Sequence, residues 1–456
     1  MRLKNSILKI FSANFLSMIS SLVIGFIVPT VLSVNEYAHL KTYTFYISYI
    51  TIFHLGFIDG MYIKYGGKTL SEIDKSELKL EHIICLITQS VISFIFIVIS
   101  IITKDLIIFF MAISIIPVNM ISFHKQFYQA VGEFKKYVNI LNVYTVFNLI
   151  FNIVLAIILR LDNYKYYCIV SIISNIIVYI YSEVKYYKVF RNISTSYNSK
   201  VWNNIKIGFF ILIGNLSVSL LYGLDRWFVK IFYSSVDFAY YSFAISMLSL
   251  INTLISAITI TFYNYIAKYE NKELINKVKK YLIIIGAISS LGYFGFSAII
   301  NIVLNKYMPS LDIIAILFSA YPYMILINAL FVNLYKIRKD EKKYLKVVVL
   351  MLLISVVYNV FALFISDNPT SIAFATTLGF ITWYIYSSKD FKYLKPNKNE
   401  ILFLLINFVA FLITSHMKMW FVGGIVYFII LLVSIKLCFD SIFKEICKYL
   451  CIKVNL

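Results

Sequence analysis

Residues 221–230 read LYGLDRWFVK, which places an aspartate beside an arginine in an otherwise oily stretch. An arginine that faces lipid is costly, so charged residues inside a membrane usually face a water-filled cavity. If this stretch crosses a membrane, Arg226 and Lys230 are therefore predicted to face such a cavity. The alternative is a helix that ends at Gly223 and leaves Asp225 and Arg226 in an outer loop.

Polar residues recur at helical spacing on this stretch and on three other apolar stretches. An α-helix turns about 100° per residue, so positions three, four and seven apart share one face. The predicted substrate-binding residues are Asn215, Tyr222, Arg226 and Lys230 on the seventh apolar stretch, Ser246 and Ser249 on the eighth, Asn14 on the first and Lys41 on the second. The alternative is that the small polar residues only mediate helix packing, as Ser and Thr commonly do in bilayers.

Two acidic residues are candidates for coupling transport to protons or sodium ions. Asp225 is the neighbour of Arg226, and Asp59 follows His54 near the inner end of the second stretch. The five histidines and five cysteines are scattered, without a CxxC pair or a ligand-spaced cluster, so the sequence predicts no metal site and no cofactor. No catalytic constellation is found either, which predicts that the protein is not an enzyme.

Membrane helices are the elements that must position these residues. Hydrophobic residues make up 61% of the chain and charged residues 14%. Apolar stretches of about 18 or more residues can cross the hydrocarbon core of a bilayer. Fourteen such stretches are centred near residues 20, 48, 92, 118, 148, 176, 219, 252, 292, 323, 355, 378, 407 and 429. The sequence thus predicts an all-α polytopic membrane protein without a soluble domain.

The distribution of positive charge predicts the orientation. The net charge is +20, and when successive spans alternate sides from a cytoplasmic N-terminus, 34 of the 42 Lys and Arg residues fall on the inner side. Cytoplasmic loops of membrane proteins carry such an excess. The pattern predicts a multi-pass protein with both termini in the cytoplasm, and it explains the lysines without a nucleic-acid partner.

A weak internal repeat predicts two lobes. LSVNEYAHL (32–40) matches YSSVDFAYY (233–241), and FYQAVGEFKKYV (127–138) matches LYKIRKDEKKYL (334–345) six spans apart. Internal repeats of this kind are common in transporters. They predict a six-helix lobe over 1–195, a second six-helix lobe over 196–395, and an extra helix pair with a cytoplasmic tail over 396–456.

Three stretches carry a resemblance to a known family: HLGFIDGMYIKYGG (54–67), FYQAVGEFKKYV (127–138) and LDRWFVKIFYSSVDFAYYSFAISML (224–248). With the plan of six, six and two helices, the chain resembles the Wzx-type polysaccharide-lipid flippases of the multidrug/oligosaccharidyl-lipid/polysaccharide exporter superfamily. The resemblance implies a bacterial inner-membrane protein that moves undecaprenyl-pyrophosphate-linked repeat units to the outer leaflet by alternating access. The protein would then act in surface polysaccharide biosynthesis (O-antigen or capsule), with a polymerase and a chain-length regulator as further partners.

The resemblance also implies roles for the polar residues. Cavity cations of such flippases are expected to hold the pyrophosphate and acidic sugars. By position, the resemblance assigns this role to Arg226, Lys230 and Lys41. The Asn, Ser and Tyr residues would contact sugar hydroxyls. The first stretch departs from this expectation because it has no cation beyond Lys9. A less basic cavity would follow.

Other polytopic proteins fit the sequence less well. A related multidrug or cation exporter is the main alternative, but it would favour acidic and aromatic groups in its cavity, whereas the candidates here are basic. A polymerase or ligase would need a large outer loop with catalytic groups. A membrane glycosyltransferase would need clustered acidic residues, and Glu72, Asp74 and Glu77 lie among lysines in a solvated loop.

Overall fold

The computed structural model describes residues 2–195, 203–268, 271–338 and 340–454. Over these residues the chain is helical almost throughout and contains no β-strand. The predicted all-α class is confirmed. Contacts between Cα atoms divide the chain into two compact units, Met1–Ser219 and Leu220–Leu456. The division falls inside one helix, and the predicted lobe boundaries at 195 and 395 stay predictions.

The first unit contains seven complete helices and the beginning of an eighth. They are α1 (Arg2–Val31), α2 (Val34–Ile47), α3 (Phe57–Tyr65), α4 (Lys75–Thr103), α5 (Leu106–Ala130), α6 (Phe134–Ile153), α7 (Tyr164–Phe190) and α8 (Asn203–Phe232), of which α8 continues into the second unit. Side-chain caps begin several of them. The carboxylate of Asp74 accepts from the backbone N–H groups of Ser76 and Glu77, and so satisfies donors that the first turn of α4 leaves open.

The second unit contains the remaining helices of the described chain. They are α9 (Ser235–Lys268), α10 (Lys272–Ser290), α11 (Gly292–Val303), α12 (Ser310–Phe318), α13 (Tyr321–Ile325), α14 (Val332–Ile337), α15 (Glu341–Ile365), α16 (Thr370–Asp390), α17 (Lys398–Ser415), α18 (Trp420–Cys438) and α19 (Asp440–Val454). The short α13 and α14 are joined by a π-helical turn at Leu326–Phe331.

Each of the fourteen predicted stretches contains helix in the structure. In the described chain, ten helices are long and apolar enough to cross a membrane, and an eleventh span results if α12 and α13–α14 count as one bent helix. A multi-pass membrane protein follows. The second, eighth and twelfth predicted stretches correspond to α2–α3, α9 and α16, which are not among those spans, so their crossing stays a prediction.

The second predicted stretch is not one continuous helix. Between α2 and α3 lie a 3-10 turn at Ile50–His54 and two residues with positive φ, Leu55 (51°) and Gly56 (82°). Glycine adopts this left-handed region without the penalty of a Cβ. A Cβ at Gly56 or at Gly208 of α8 would collide with the backbone of the other, so the absence of both side chains allows these segments to touch.

A second interruption separates α12 from α13, where the chain bends by 47°. Pro322 lies at the start of α13, and proline lacks the N–H that would continue the preceding helix. The sequence predicts bending at both Pro117 and Pro322. Pro117 lies inside the continuous helix α5, so a bend there stays a prediction, while Pro322 accompanies the break before α13.

An ion-pair network fixes α3, α4 and α8 together within the first unit. The Lys64 ammonium of α3 contacts the carboxylates of Glu77 and Glu81 on α4. Glu81 is fully buried, and its Oε1 also accepts from the amide of Asn204 at 2.8 Å. A buried carboxylate is tolerated when it is paired and hydrogen-bonded, as it is here.

Candidate substrate-binding site

The LDRW motif lies inside α8, which continues to Phe232. The alternative of a helix that ends at Gly223 is therefore wrong. The Asp225 side chain is buried, with 4% of the residue exposed, and its Oδ2 accepts from the Tyr241 hydroxyl of α9 at 2.9 Å. Its Oδ1 accepts from the backbone N–H of Arg226 at 2.7 Å. Asp225 thus joins two neighbouring helices of the second unit.

The other predicted residues of α8 are partly accessible. Arg226 and Lys230 are half-buried, and the Lys230 ammonium lies 5.1 Å from the centre of the Phe238 ring. The hydroxyl of Tyr222 donates to the Asn328 amide oxygen in the π-helical turn at 2.7 Å. Tyr222 therefore joins α8 to the π-helical turn.

The small polar residues divide into exposed and internally bonded groups. Asn215 on α8 is exposed. On α9, the Ser246 hydroxyl donates to the Ser242 carbonyl at 2.8 Å, and the exposed Ser249 donates to the Ser246 carbonyl at 2.7 Å. Such bonds to the preceding turn are common for helical serines. They fit the alternative in which these serines only mediate helix packing.

In the first unit, Asn14 is exposed on α1, and Lys41 of α2 lines a cavity of about 160 Å³. The Lys41 ammonium lies 5.0 Å from the centre of the Tyr37 ring. Polar groups from α2, α6 and α7 share this cavity, namely Thr44, Tyr144, Asn148, Asn152 and Ser171. The predicted cation is thus placed among hydrogen-bonding side chains that suit a hydrated or sugar-bearing ligand.

Asp59 and His54 lie close together near the break between α2 and α3. Their nearest atoms, His54 Nε2 and Asp59 Oδ2, are 3.8 Å apart, and the imidazole Nδ1 accepts from the Gly56 N–H at 3.1 Å. His54 is buried and Asp59 half-buried. This arrangement gives the neutral imidazole its proton on Nε2, directed toward the carboxylate.

Lys125 is a candidate that the sequence interpretation missed. The alternation of charge along the sequence predicts a basic inner segment over 124–137 that includes Lys125, but α5 continues to Ala130, so this lysine lies within a candidate span. Lys125 is half-buried and lines a cavity of about 230 Å³ together with Thr51, Ser122, Tyr144 and Asn175. No carboxylate of the described chain lies within 4.0 Å of its ammonium. To identify Lys125 from the sequence, one would need to know where α5 ends or that no carboxylate faces this lysine.

A larger basic pocket of about 420 Å³ lies next to the Lys125 cavity. Its lining includes the four lysines Lys135, Lys136, Lys185 and Lys188 and the two tyrosines Tyr128 and Tyr181. Ile140 lines both this pocket and the Lys125 cavity, and Tyr144 lines both the Lys125 and the Lys41 cavities. Ile140 and Tyr144 are one turn apart on α6, so residues of that helix border all three cavities. We refer to these three cavities as the lysine path.

The structure brings some predicted residues together and leaves others apart. Asp225 and Tyr222 bond to α9 and to the π-helical turn, while Lys41 joins polar residues of α6 and α7 that were not predicted. Asn14, Asn215 and Ser249 are exposed. The binding and ion-coupling roles of all ten predicted residues stay predictions.

The fold of the chain is that of known transporters. A structure described as the lipid II flippase MurJ in an inward closed conformation superimposes with a TM-score of 0.71 at 14% identity, over 96% of this chain and 99% of that one. An inward-facing multidrug resistance MATE family transporter of the MOP superfamily gives a TM-score of 0.62 at 12% identity, over 86% and 99%. No protein-family model matches the chain, and no curated protein matches it.

Proposed function

We propose that the protein flips undecaprenyl-pyrophosphate-linked oligosaccharide repeat units from the cytoplasmic to the outer leaflet during surface polysaccharide synthesis. The observation that carries this proposal is Lys125, a half-buried cation inside a span that faces a cavity and has no carboxylate within 4.0 Å among the described residues. Intramembrane cations usually mark a substrate or ion pathway. The fold shared with a lipid II flippase supports a lipid-linked cargo.

The lysine path supplies chemistry that suits such a cargo. A pyrophosphate is compact and strongly anionic, and lysine binds phosphate groups as a point charge. The path offers a basic pocket near the C-terminal end of α7 and two further cavities beside α6, which contain Lys125 and Lys41. Asparagine, serine and tyrosine side chains beside Lys41 and Lys125 would hydrogen-bond sugar hydroxyls. The lipid tail would remain in the bilayer.

The residues predicted from the sequence keep their proposed roles. Arg226 and Lys230 of α8 would bind an anionic group, and sugar hydroxyls would be contacted by Asn215 and Tyr222 of α8 and by Ser246 and Ser249 of α9. Asp59 is the better candidate for proton coupling, because it is half-buried beside an imidazole, whereas the Asp225 carboxylate is occupied by Tyr241. We further propose a bacterial inner-membrane location with both termini in the cytoplasm, and a polymerase and chain-length regulator as partners.

A multidrug or cation exporter is the second candidate, and the fold shared with a MATE transporter favours it. A cationic cargo would need carboxylates that are free to receive it. Three carboxylates of the spans already have partners: Asp225 is bonded to Tyr241, Glu81 to Lys64 and Asn204, and Glu183 to two histidines. An anionic cargo is therefore the better match.

Expression in cells that lack their own flippase tests the proposal. The wild type should restore surface polymer, whereas Arg226→Ala at a matched membrane level should lose it and accumulate lipid-linked repeat units inside. Lys277→Gln, which removes an exposed lysine of the second unit, is the control that should behave as wild type. If the wild type restores no polymer from any donor strain tested but exports cationic drugs, the exporter is the correct alternative.

A further inference from the structure

Three ligand-type side chains of the first unit converge where α4, α5 and α7 meet. The Nε2 atoms of His82 and His124 lie 2.8 Å and 2.9 Å from the same Glu183 oxygen, Oε1. One ligand atom from each residue can be chosen so that all three lie within 4.8 Å of one another. We propose that His82, His124 and Glu183 bind a divalent transition-metal ion of the zinc class. This site is independent of the proposed transport function.

The ligand set matches the chemistry of such an ion. Two neutral imidazoles and one carboxylate form a common three-ligand set for Zn²⁺, which leaves a fourth position for water. With ligand atoms about 2.1 Å from the ion, tetrahedral geometry separates them by roughly 3.4 Å. The Glu183 oxygen would need to withdraw from each imidazole by only about half an ångström. A glutamate side chain makes such a movement by small torsional changes.

Aromatic packing holds the two imidazoles in place. The Tyr186 ring stacks on His82 with centres 4.6 Å apart and planes at 19°, and its hydroxyl donates to the Leu78 carbonyl at 3.3 Å. The ring of Phe123 meets both His82 and His124 edge-on. Metal sites need ligands whose rotamers are fixed in advance by their neighbours. The site is therefore preorganised by three helices rather than assembled from a flexible loop.

The burial of the three residues provides both a dry site and an entrance. The His124 side chain is fully buried, and its Nδ1 has no hydrogen-bond partner in the described chain. The Glu183 side chain keeps 24% of its surface exposed, which leaves a route for a hydrated ion. A simple hydrogen-bond network would satisfy one carboxylate oxygen with two imidazole donors. A metal ion would replace both bonds and cross-link α4, α5 and α7.

Metal titration of the purified full-length protein tests the proposal. After treatment with a chelator, the wild type should bind one Zn²⁺ per chain in calorimetry, and Co²⁺ should give the visible absorption of a tetrahedral site. His124→Ala and His82→Ala should each weaken binding by about 100-fold or more, since even the loss of an outer partner of a metal ligand can cost 10–100-fold. Glu183→Gln keeps an oxygen in place but removes the charge, and should weaken binding as well.

The other histidines provide matched controls. His39→Ala and His416→Ala remove imidazoles outside the cluster and should leave the stoichiometry at one. Zn²⁺ should also raise the melting temperature of the wild type, a readout that does not depend on any variant folding correctly. Absence of saturable Zn²⁺ binding by the wild type would overturn the proposal. Equal binding by the control and cluster variants would overturn it too.

Discussion

Two lysines inside the helices, the buried Lys279 of the second unit and the half-buried Lys125 of the first, differ in what surrounds their ammonium groups. Lys279 of α10 is only 1% exposed, and its Nζ lies 2.7 Å from Glu400 Oε2. It also donates to the carbonyls of Leu394 and Lys395 at 3.2 Å and 3.4 Å. All three of its donors have acceptors in the protein. Lys279 therefore joins α10 to the beginning of α17 and has no capacity for a ligand.

Lys125 of α5 is the opposite case. It is half-buried, faces a cavity and has no carboxylate within 4.0 Å in the described chain. The comparison shows that burial alone does not identify a functional lysine. A lysine whose donors are all satisfied within the protein is structural, while one that faces a cavity without an acidic partner can receive an anion.

The largest expected effect is the loss of the Lys279–Glu400 pair. Lys279→Met leaves the Glu400 carboxylate buried at 1% exposure without its cation, which should lower the free energy of unfolding by about 3–5 kcal/mol. Chemical unfolding in detergent measures this change. The double variant with Glu400→Gln should recover most of the loss, because the amide oxygen can still accept from the Asn397 N–H. A single variant as stable as wild type would remove the basis for calling Lys279 structural.

Tyr241→Phe should have the next largest effect. The change removes the hydroxyl that donates to Asp225 Oδ2, while the backbone N–H of Arg226 still donates to Oδ1. A hydrogen bond to a charged group contributes about 1.5–3 kcal/mol. Stability should fall by that amount in the same unfolding assay. Tyr240→Phe, one residue away, is the control. If both variants unfold alike, Asp225 does not join α8 to α9 in the way described.

Lys125→Gln should change binding rather than stability. Loss of one cation from the path should weaken the affinity of the purified protein for inorganic pyrophosphate by about tenfold, which corresponds to about 1.4 kcal/mol. Calorimetry at low salt measures it, because screening weakens interactions between accessible charges. Lys125→Arg should bind nearly as wild type. Equal pyrophosphate affinity in Lys125→Gln and wild type would show that this lysine does not receive the anion.

The smallest effects are expected at the repeated lysine pairs, Lys135–Lys136 and Lys342–Lys343. Lys136 is paired with Glu133 at 3.6 Å and Lys343 with Asp390 at 3.1 Å, and both lysines are exposed at their ends. Exposed pairs contribute about 0–1 kcal/mol. Each Lys→Gln change should therefore leave the melting temperature almost unaltered. Of these four lysines, only Lys135 and Lys136 line the basic pocket, so only their substitution should lower the affinity for pyrophosphate. A lower pyrophosphate affinity in Lys343→Gln would contradict the proposed difference between the two units.

Hydropathy was sufficient to locate the helices, because the cost of burying polar groups in a bilayer acts on each segment independently. LDRWFVK was likewise correctly placed inside a helix rather than in a loop. The break at Leu55–Gly56 was not predicted, because it depends on the close approach of α8 through Gly208. A contact between segments so far apart in the sequence cannot be predicted from the residues around the break.

The candidate site was predictable only in part for the same reason. Lys125 belongs by composition to a basic loop, and its place in α5 depends on where that helix ends. His82, His124 and Glu183 are scattered along the chain, and they meet only because α4, α5 and α7 pack together. The prediction of no metal site rested on the spacing of ligands along the chain. Helix packing, however, determines which side chains converge.

Transport by the purified protein tests the central claim most directly. The wild type, Lys125→Gln and Lys279→Met with Glu400→Gln would be reconstituted in liposomes that contain an undecaprenyl-pyrophosphate-linked oligosaccharide. Arrival of the sugar in the opposite leaflet would be followed with a membrane-impermeant glycosidase. We expect transport by the wild type and the double variant, and a loss of about tenfold or more in Lys125→Gln. Transport in Lys125→Gln at the wild-type rate would contradict the proposed role of the lysine path, and no transport by any of the three would contradict the flippase itself.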